Sequence, residues 1–209
     1  MELGERIVTL ATQKGGSGKS TLAISLLVAA MEATPTRGLD LDPQGTLAAW
    51  GGRRGGRDPR IVRVAPPTAN LDKALQGARS DGIGLVITDT PGADMPLSSV
   101  AIRAADLVLI PARPSVADIE AARPTVSAVL RIGRPFAFVL CQGAPQKSAR
   151  LSEAANALGV LGALAGVPIA MRADHQDALA AGLGVTEYAP EGRAAGEVRE
   201  LWHWVEARL

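Results

Sequence analysis

The chain has 209 residues, of which 47% are hydrophobic and 21% charged, a balance typical of one globular domain with a sizeable core. Basic and acidic residues nearly cancel, 22 against 21, so any basic surface must be local. The single cysteine, Cys141, excludes a disulfide scaffold. No apolar run reaches the ~18 residues of a membrane span, and the first residues lack a signal-peptide pattern, so we expect a cytoplasmic protein.

Strand-like and helix-like segments alternate along the chain. Strands are predicted at Arg6–Ala11, Ile83–Thr88, Leu107–Ile110 and Phe136–Leu140, with weaker candidates around Leu39 and Leu41, at Ile61–Val64 and at Val160–Leu164. Helices are predicted at Thr21–Met31, Leu71–Ala78, Ser115–Leu130 (with Pro124 as a candidate kink), Ser148–Leu158, Ala173–Ala181 and Ala194–Ala207. This alternation predicts a single α/β domain over residues 1–209, with a mostly parallel twisted sheet covered by helices on both faces. The segment Gly51–Gly56 is interpreted as a flexible, basic surface loop.

A glycine-rich segment, Lys14–Thr21 (KGGSGKST), joins the first predicted strand to the first predicted helix. A helix N-terminus presents unpaired N–H groups and a positive dipole end, and glycines let the preceding backbone wrap around phosphate oxygens. Lys19 would reach the terminal phosphates, and the Ser20 hydroxyl would ligate Mg²⁺. The usual pattern has glycine where this chain has Gln13, and Lys14 is an additional lysine. The segment predicts a nucleotide-binding site.

The Lys14–Thr21 segment resembles the deviant Walker A motif of the ParA/MinD superfamily, in which the additional lysine is called the signature lysine. Asp40–Gly45 resembles the second motif of that family, Val86–Gly92 its Walker B strand and switch, and Pro111–Asp118 the segment after the next strand. Similarity of pattern continues through Gly184–Tyr188 and Gly192–Leu201. The chain looks most like the short ParA-type ATPases without an N-terminal DNA-binding extension. This resemblance implies a P-loop NTPase fold, with ATP and Mg²⁺ as cofactors.

The resemblance also implies a role for each motif. The nucleotide phosphates would contact Gly15, Gly16, Ser17, Gly18, Lys19, Ser20 and Thr21. Lys14 would cross a dimer interface to the partner subunit's phosphates, and Asp42 would orient or activate the attacking water. Asp89 would join Ser20 in holding Mg²⁺, and Asp40 would support the dimer. Structural roles remain open: a surface position for Lys14, and turn caps for Asp42 and Asp89. If Asp40 and Asp42 lie on one extended strand, their side chains point the same way.

Base recognition departs from the resembled family, which commonly has an asparagine where this chain has Cys141. A thiol is a poor hydrogen-bonding partner. We therefore expect adenine to be recognised by Gln142 or by the backbone near Pro168–Arg172.

The function implied is that of a partition-type ATPase. ATP would close a sandwich homodimer that binds DNA without sequence preference, and a ParB-like or other adaptor protein would stimulate slow hydrolysis. The cargo would be a plasmid, a chromosome region or a protein cluster, and the protein would be nucleoid-associated. The candidate DNA-binding residues are Arg172, Arg193 and Arg199, with the Arg53–Arg54 segment as a rival.

Two other classes of function are less favoured: a membrane-associated positioning ATPase, and a metabolic relative that is either an iron–sulfur reductase or a carboxylating ligase. MinD-like positioning ATPases end in a membrane-binding amphipathic helix, and one stripe of the last predicted helix here is apolar: Val198, Leu201, Trp202, Val205 and Leu209. Flanking acidic residues oppose an anionic membrane, so core packing is the favoured interpretation and no membrane partner is expected. An iron–sulfur reductase would need more cysteines than one per chain. A carboxylating ligase is disfavoured by the short chain and the Asp40–Gln44 motif.

Overall fold

The structure, a computed structural model, describes residues 5–93, 95–146 and 148–209. The strands are β1 (Arg6–Leu10), β2 (Thr36–Asp40), β3 (Arg60–Arg63), β4 (Leu85–Asp89), β5 (Leu107–Ala112), β6 (Phe136–Gly143), β7 (Ala163–Leu164) and β8 (Ile169–Ala170). The helices are α1 (Lys19–Ala30), α2 (Thr46–Arg53), α3 (Ala69–Ser80), α4 (Pro96–Ala104), α5 (Val116–Ile132), α6 (Ala149–Leu161), α7 (Ala173–Ala180), α8 (Val185–Tyr188) and α9 (Arg193–Glu206).

The strands form one parallel sheet in the order β3-β2-β4-β1-β5-β6-β7, with β8 paired to β6. Helices α1, α2, α8 and α9 pack on one face, and helices α3 to α6 on the other. Central strands are mainly apolar because both of their faces are covered, and every residue of β4 is buried. The predicted fold class is confirmed.

The sheet register determines where the site lies. Asp89, the last residue of β4, is in register with Leu10 of β1 on one side and with Asp40 of β2 on the other. In open parallel sheets, ligands bind outside the carboxyl ends of the strands. The segments that follow these three strands therefore meet at one edge of the sheet.

The terminal helix packs into the core. Val198, Leu201, Trp202 and Val205 are buried, and α9 lies against α1. The interpretation of the apolar stripe as core packing is confirmed. In the described ranges, we find no helix with both the length and the apolar character needed to cross a bilayer.

The interpretation of Gly51–Gly56 as a flexible loop is wrong. Helix α2 continues through both glycines at 51 and 52, and Arg54 beyond it is only 1% exposed. Packing overrides the low helix propensity of glycine here. Trp50 is fully buried, and a Cβ at Gly51 would lie 2.7 Å from Ile61 Cγ1, so only glycine permits this approach to β3. Helix α5 likewise continues through Pro124.

Candidate nucleotide-binding site

The phosphate loop has the backbone geometry that its glycines predict. Gly16 and Gly18 have φ values of +71° and +100°, in the left-handed region that favours glycine. Helix α1 begins at Lys19, has no side-chain N-cap and has no acidic residue in its first turn. Its N-terminal N–H groups are therefore available to an anion.

Lys19 is buried beside the loop that it serves. The residue is 6% exposed, and its Nζ donates a hydrogen bond to the Lys14 carbonyl at 3.3 Å. Burial lowers the pKa of Lys19, while the negative charges of Asp89 and Asp42 oppose that shift. A phosphate group in the loop would supply the missing counter-charge.

Asp89 is fully buried, and neither of its carboxylate oxygens has a hydrogen bond of ordinary geometry with the described residues. Burial, with further contributions from Asp40 and Asp42, raises its pKa to about 7, although the Ser20 hydroxyl and Lys19 oppose the shift. Unpaired buried carboxylate oxygens beside a hydroxyl suit a hard divalent cation. Ser20 and Asp89 thus fit the predicted Mg²⁺ site.

Asp40 and Asp42 do not lie on one extended strand, so the condition under which their side chains would point the same way is not met. Strand β2 ends at Asp40, whose buried carboxylate accepts hydrogen bonds from the Asp42 N–H at 3.0 Å and the Ala48 N–H at 2.7 Å. The chain turns because Asp40 Oδ1 accepts that first bond. Asp42 Oδ1 in turn accepts the Gln44 N–H at 2.9 Å. Asp42 caps a turn and still faces the cavity described next.

These segments enclose a cavity of about 690 Å³, which we call the phosphate cavity. Its lining comes from the phosphate loop, from the loop 42–46 after β2, and from the turn 91–93 after β4. Lys19, Ser20, Asp42 and Gln142 all contribute. The structure therefore brings together the motifs that lie far apart in the chain, as the sequence predicts.

Lys14 points to a different partner. Its Nζ lies 2.8 Å from Asp118 Oδ2, and it is not among the described residues that line the phosphate cavity. Burial would raise the pKa of Asp118, but hydrogen bonds from Lys14 and Ser115, with the charges of Lys14 and Arg113, hold it below its ordinary value. Arg113 also donates a hydrogen bond to the Gly16 carbonyl. The role of Lys14 across a dimer stays a prediction.

A smaller cavity of about 140 Å³ adjoins the phosphate cavity, and we call it the side cavity. Both share Gly18, Thr21 and Gln142. Gln142 lies at a register shift between β6 and β8, has a φ of 57°, and donates to the Gly16 carbonyl at 3.3 Å. A bulge of this kind re-aims a side chain next to a site. Gln142 thus connects the two cavities.

The remaining walls of the side cavity are mainly apolar. Cys141 is buried, which raises the pKa of its thiol to about 12. Pro168 does not line the cavity, unlike the following residues 169–172. Sequence reasoning missed His175 and Gln176 of α7. His175 is buried, its Nε2 has no hydrogen-bonding partner in the described ranges, and burial lowers its pKa. Strand β8, which forms part of this wall, has only two residues, too few for a sequence pattern to predict it.

The candidate DNA-binding arginines have different surroundings. Arg172 forms an ion pair with Glu197 at 2.6 Å, and Arg199 donates to the Pro190 carbonyl at 2.6 Å. Arg193 is exposed at the start of α9. Arg54 is buried and cannot contact DNA, so the rival Arg53–Arg54 segment is wrong at that position.

Comparisons with known proteins agree with this geometry. A family model described as the CobQ/CobB/MinD/ParA nucleotide binding domain matches residues 8–191. The chain is 37% identical over 114 residues to protein ParA of Rhizobium radiobacter, a match covering 54% of this chain but only 50% of that protein. It is 30% identical over 155 residues to maintenance of carboxysome distribution protein A (McdA) of Gloeobacter kilaueensis, covering 73% of this chain and 70% of that protein.

Among solved structures, an ATP complex of a Cyanothece McdA variant superimposes with a TM-score of 0.73, at 17% identity, over 97% of this chain and 96% of that one. At this identity the likeness shows the fold alone. The family match, however, spans the phosphate loop, Asp42, Asp89 and Gln142. The chain therefore belongs to the CobQ/CobB/MinD/ParA family of nucleotide-binding domains and, within it, to the ParA/MinD superfamily of ATPases.

Proposed function

We propose that this chain is a partition or positioning ATPase that hydrolyses ATP in the phosphate cavity. The observation that carries the proposal is the convergence of Lys19, Ser20 and Asp42 on one cavity, with Asp89 buried and unpaired beside them. The ATP bound in the Cyanothece McdA complex supports ATP as the nucleotide. The purine would occupy the side cavity, beside Gln142.

The residues divide the chemistry among them. Lys19 and the N–H groups of the phosphate loop stabilise negative charge on the transferring phosphoryl group. Asp42 accepts a hydrogen bond from the attacking water and orients it. Mg²⁺, when bound by Ser20 and Asp89, would neutralise phosphate charge. Hydrolysis yields ADP and inorganic phosphate.

Assembly and cargo extend the same proposal. ATP closes two subunits face to face, and Lys14 leaves Asp118 to reach the partner subunit's phosphates. The closed homodimer binds DNA without sequence preference, which places it on the nucleoid, and an adaptor of the ParB kind stimulates hydrolysis. The McdA relative supports a protein cargo in particular, because its name describes carboxysome distribution.

DNA retention in two nucleotide states tests this proposal. Asp42→Ala protein should retain unrelated DNA fragments with ATP but not with ADP, because dimerisation doubles the basic surface. Retention should fall steeply between about 50 and 200 mM salt, since each phosphate contact releases counterions. Equal weak retention in both states would reject nucleotide-gated DNA binding.

Substitutions then locate the DNA surface. Arg193→Glu and Arg199→Glu in the Asp42→Ala background should reduce retention, whereas the matched change Arg79→Glu on α3 should not. Arg79 is paired with Glu5, on the opposite face of the sheet from α9. Equal loss in all three variants would remove the C-terminal arginines as the specific contact.

A further inference from the structure

The far end of helix α2 carries a buried ion pair that the nucleotide site does not use. The Arg54 guanidinium is 1% exposed and donates to both carboxylate oxygens of Glu187, at 2.8 and 2.9 Å. It also donates to the Gly182 carbonyl at 3.1 Å and lies 4.8 Å from the centre of the Trp50 ring. Hydrogen bonds along its edges and the Trp50 ring over its face thus hold this guanidinium in place.

Neighbouring bonds fasten the same helix end to the segment that joins α7 to α8. Trp50 Nε1 donates to the Leu183 carbonyl, and Arg53 Nε donates to the Leu179 carbonyl, each at 3.1 Å. Gly182 has a φ of +69°, and a Cβ there would lie 2.6 Å from the Arg53 carbonyl oxygen. The backbones of the two segments are therefore in direct contact, so that a movement of the α7–α8 segment would displace the last turn of α2.

The N-terminal end of α2 is hydrogen-bonded to the loop that carries Asp42, which we call the Asp42 loop. The helix begins at Thr46, four residues after Asp42. The Asp40 carboxylate holds both the Asp42 N–H and the Ala48 N–H of the first helical turn. A displacement of α2 along its axis would therefore strain the bond that sets the position of Asp42.

Helix α7, on the other side of the fastening, forms part of the side cavity. His175, Gln176 and Leu179 line that cavity. Leu179 belongs to both contacts, because the residue lines the side cavity and its carbonyl accepts a hydrogen bond from Arg53. A group that fills the side cavity would therefore contact the helix to which α2 is hydrogen-bonded.

A buried ion pair is a weak source of stability, because desolvation offsets much of the attraction, but its directional bonds fix position. We propose that α2 is a rigid link between the side cavity and the Asp42 loop, with Arg54 and Glu187 as positioning residues that align Asp42 when a base fills the side cavity. The inference rests on the proposed function, since it requires ATP hydrolysis at Asp42. A nucleotide, whose base fills the side cavity, then positions the Asp42 carboxylate for hydrolysis. A polyphosphate without a base does not.

Kinetics of two conservative variants test the positioning role. Glu187→Gln and Arg54→Lys should each lower kcat by about five-fold or more, with the KM for ATP changed by less than about two-fold, because neither residue lines a nucleotide cavity. The matched control is Arg37→Met, which removes the 2.9 Å ion pair with Asp81 at the opposite end of β2. Wild-type kcat in both variants, or equal loss in the control, would overturn the positioning role.

The fluorescence of Trp50 tests the link without hydrolysis. In a Trp202→Phe/Trp204→Phe variant, Trp50 is the only tryptophan. ADP should shift its emission, whereas pyrophosphate, which fills only the phosphate loop, should not. Calorimetry measures the binding of both ligands independently. ADP that binds without changing the emission, or an equal shift with pyrophosphate, would overturn the link alone. Absence of ADP binding would instead remove the proposed function, and the link with it.

Discussion

Three ionisable side chains at the carboxyl edge of the sheet, Lys19, Asp40 and Asp89, have pKa values that are shifted mainly by burial. Burial lowers the pKa of Lys19 and raises those of Asp40 and Asp89, so each shift disfavours the charged form. Phosphate oxygens beside Lys19 and a cation beside Asp89 would each favour the charged form again. The arrangement therefore suits a ligand that carries both an anion and a divalent cation.

Burial also determines the reactivity of Cys141. Because its pKa is raised to about 12, the thiolate is scarce at pH 8, and the thiolate is the form that alkylating agents attack. Iodoacetamide should leave Cys141 unmodified in the native protein and modify it fully in urea, as measured by mass spectrometry. Rapid modification of the native protein at pH 8 would contradict the buried position of this side chain.

The predicted site residues that the structure brings to the phosphate cavity lie within short motifs. The phosphate loop and Asp42 can be recognised because neighbouring residues in the chain define them. The partnership of Arg54 with Glu187 joins positions 133 residues apart, so no local pattern predicts it. A sequence of glycines and arginines suggests a mobile loop, whereas the fold buries one of those arginines.

At the scale of elements, apolar runs predicted the central strands because a parallel sheet is covered on both faces. Helix α2 was not predicted, since its two glycines argue against a helix and its stability comes from tertiary contacts of Trp50. The walls of the side cavity were predicted only in part. Strands β7 and β8 have two residues each, too few for any periodicity.

The fastening of α2 to α8 predicts a pH-dependent loss of stability. Burial raises the pKa of Glu187, but the hydrogen bonds from Arg54 and from the Gly184 N–H, with the charges of Arg54 and Arg57, together hold the pKa below the ordinary value of 4.5. Glu187 thus contributes stability above pH 4.5 that is lost as the pH falls through its lower folded pKa. Arg54→Met leaves the carboxylate without its partner and should lower the free energy of unfolding at pH 7 by about 3 kcal/mol.

Urea unfolding of both proteins at pH 7 and at about pH 3.5 measures this effect. The difference in free energy between wild type and Arg54→Met should shrink in acid, because protonation removes the charge that Arg54 stabilises. Arg37→Met is again the control, and its ion pair with the exposed Asp81 should contribute about 1 kcal/mol or less. A difference that is equal at both pH values would contradict the assignment of the shift to Arg54.

For the molecule as a whole, the proposal requires that ATP control assembly. Asp42→Ala protein with ATP should sediment as a dimer, and with ADP as a monomer. Lys14→Ala should lower turnover more than ATP affinity, because the lysine acts on the other subunit. A monomer that persists with ATP at tens of micromolar, a generous concentration for a specific interface, would contradict the sandwich dimer.

Release of inorganic phosphate from Mg-ATP tests the central claim, hydrolysis in the phosphate cavity, most directly. Wild type and the control Lys73→Ala, an exposed position on α3, should turn over ATP at the same slow rate. Lys19→Ala should lose nucleotide binding or turnover, because the terminal phosphates lose their main cation. Asp42→Ala should bind ATP and release no phosphate above background. Turnover by Asp42→Ala equal to that of wild type would contradict the account.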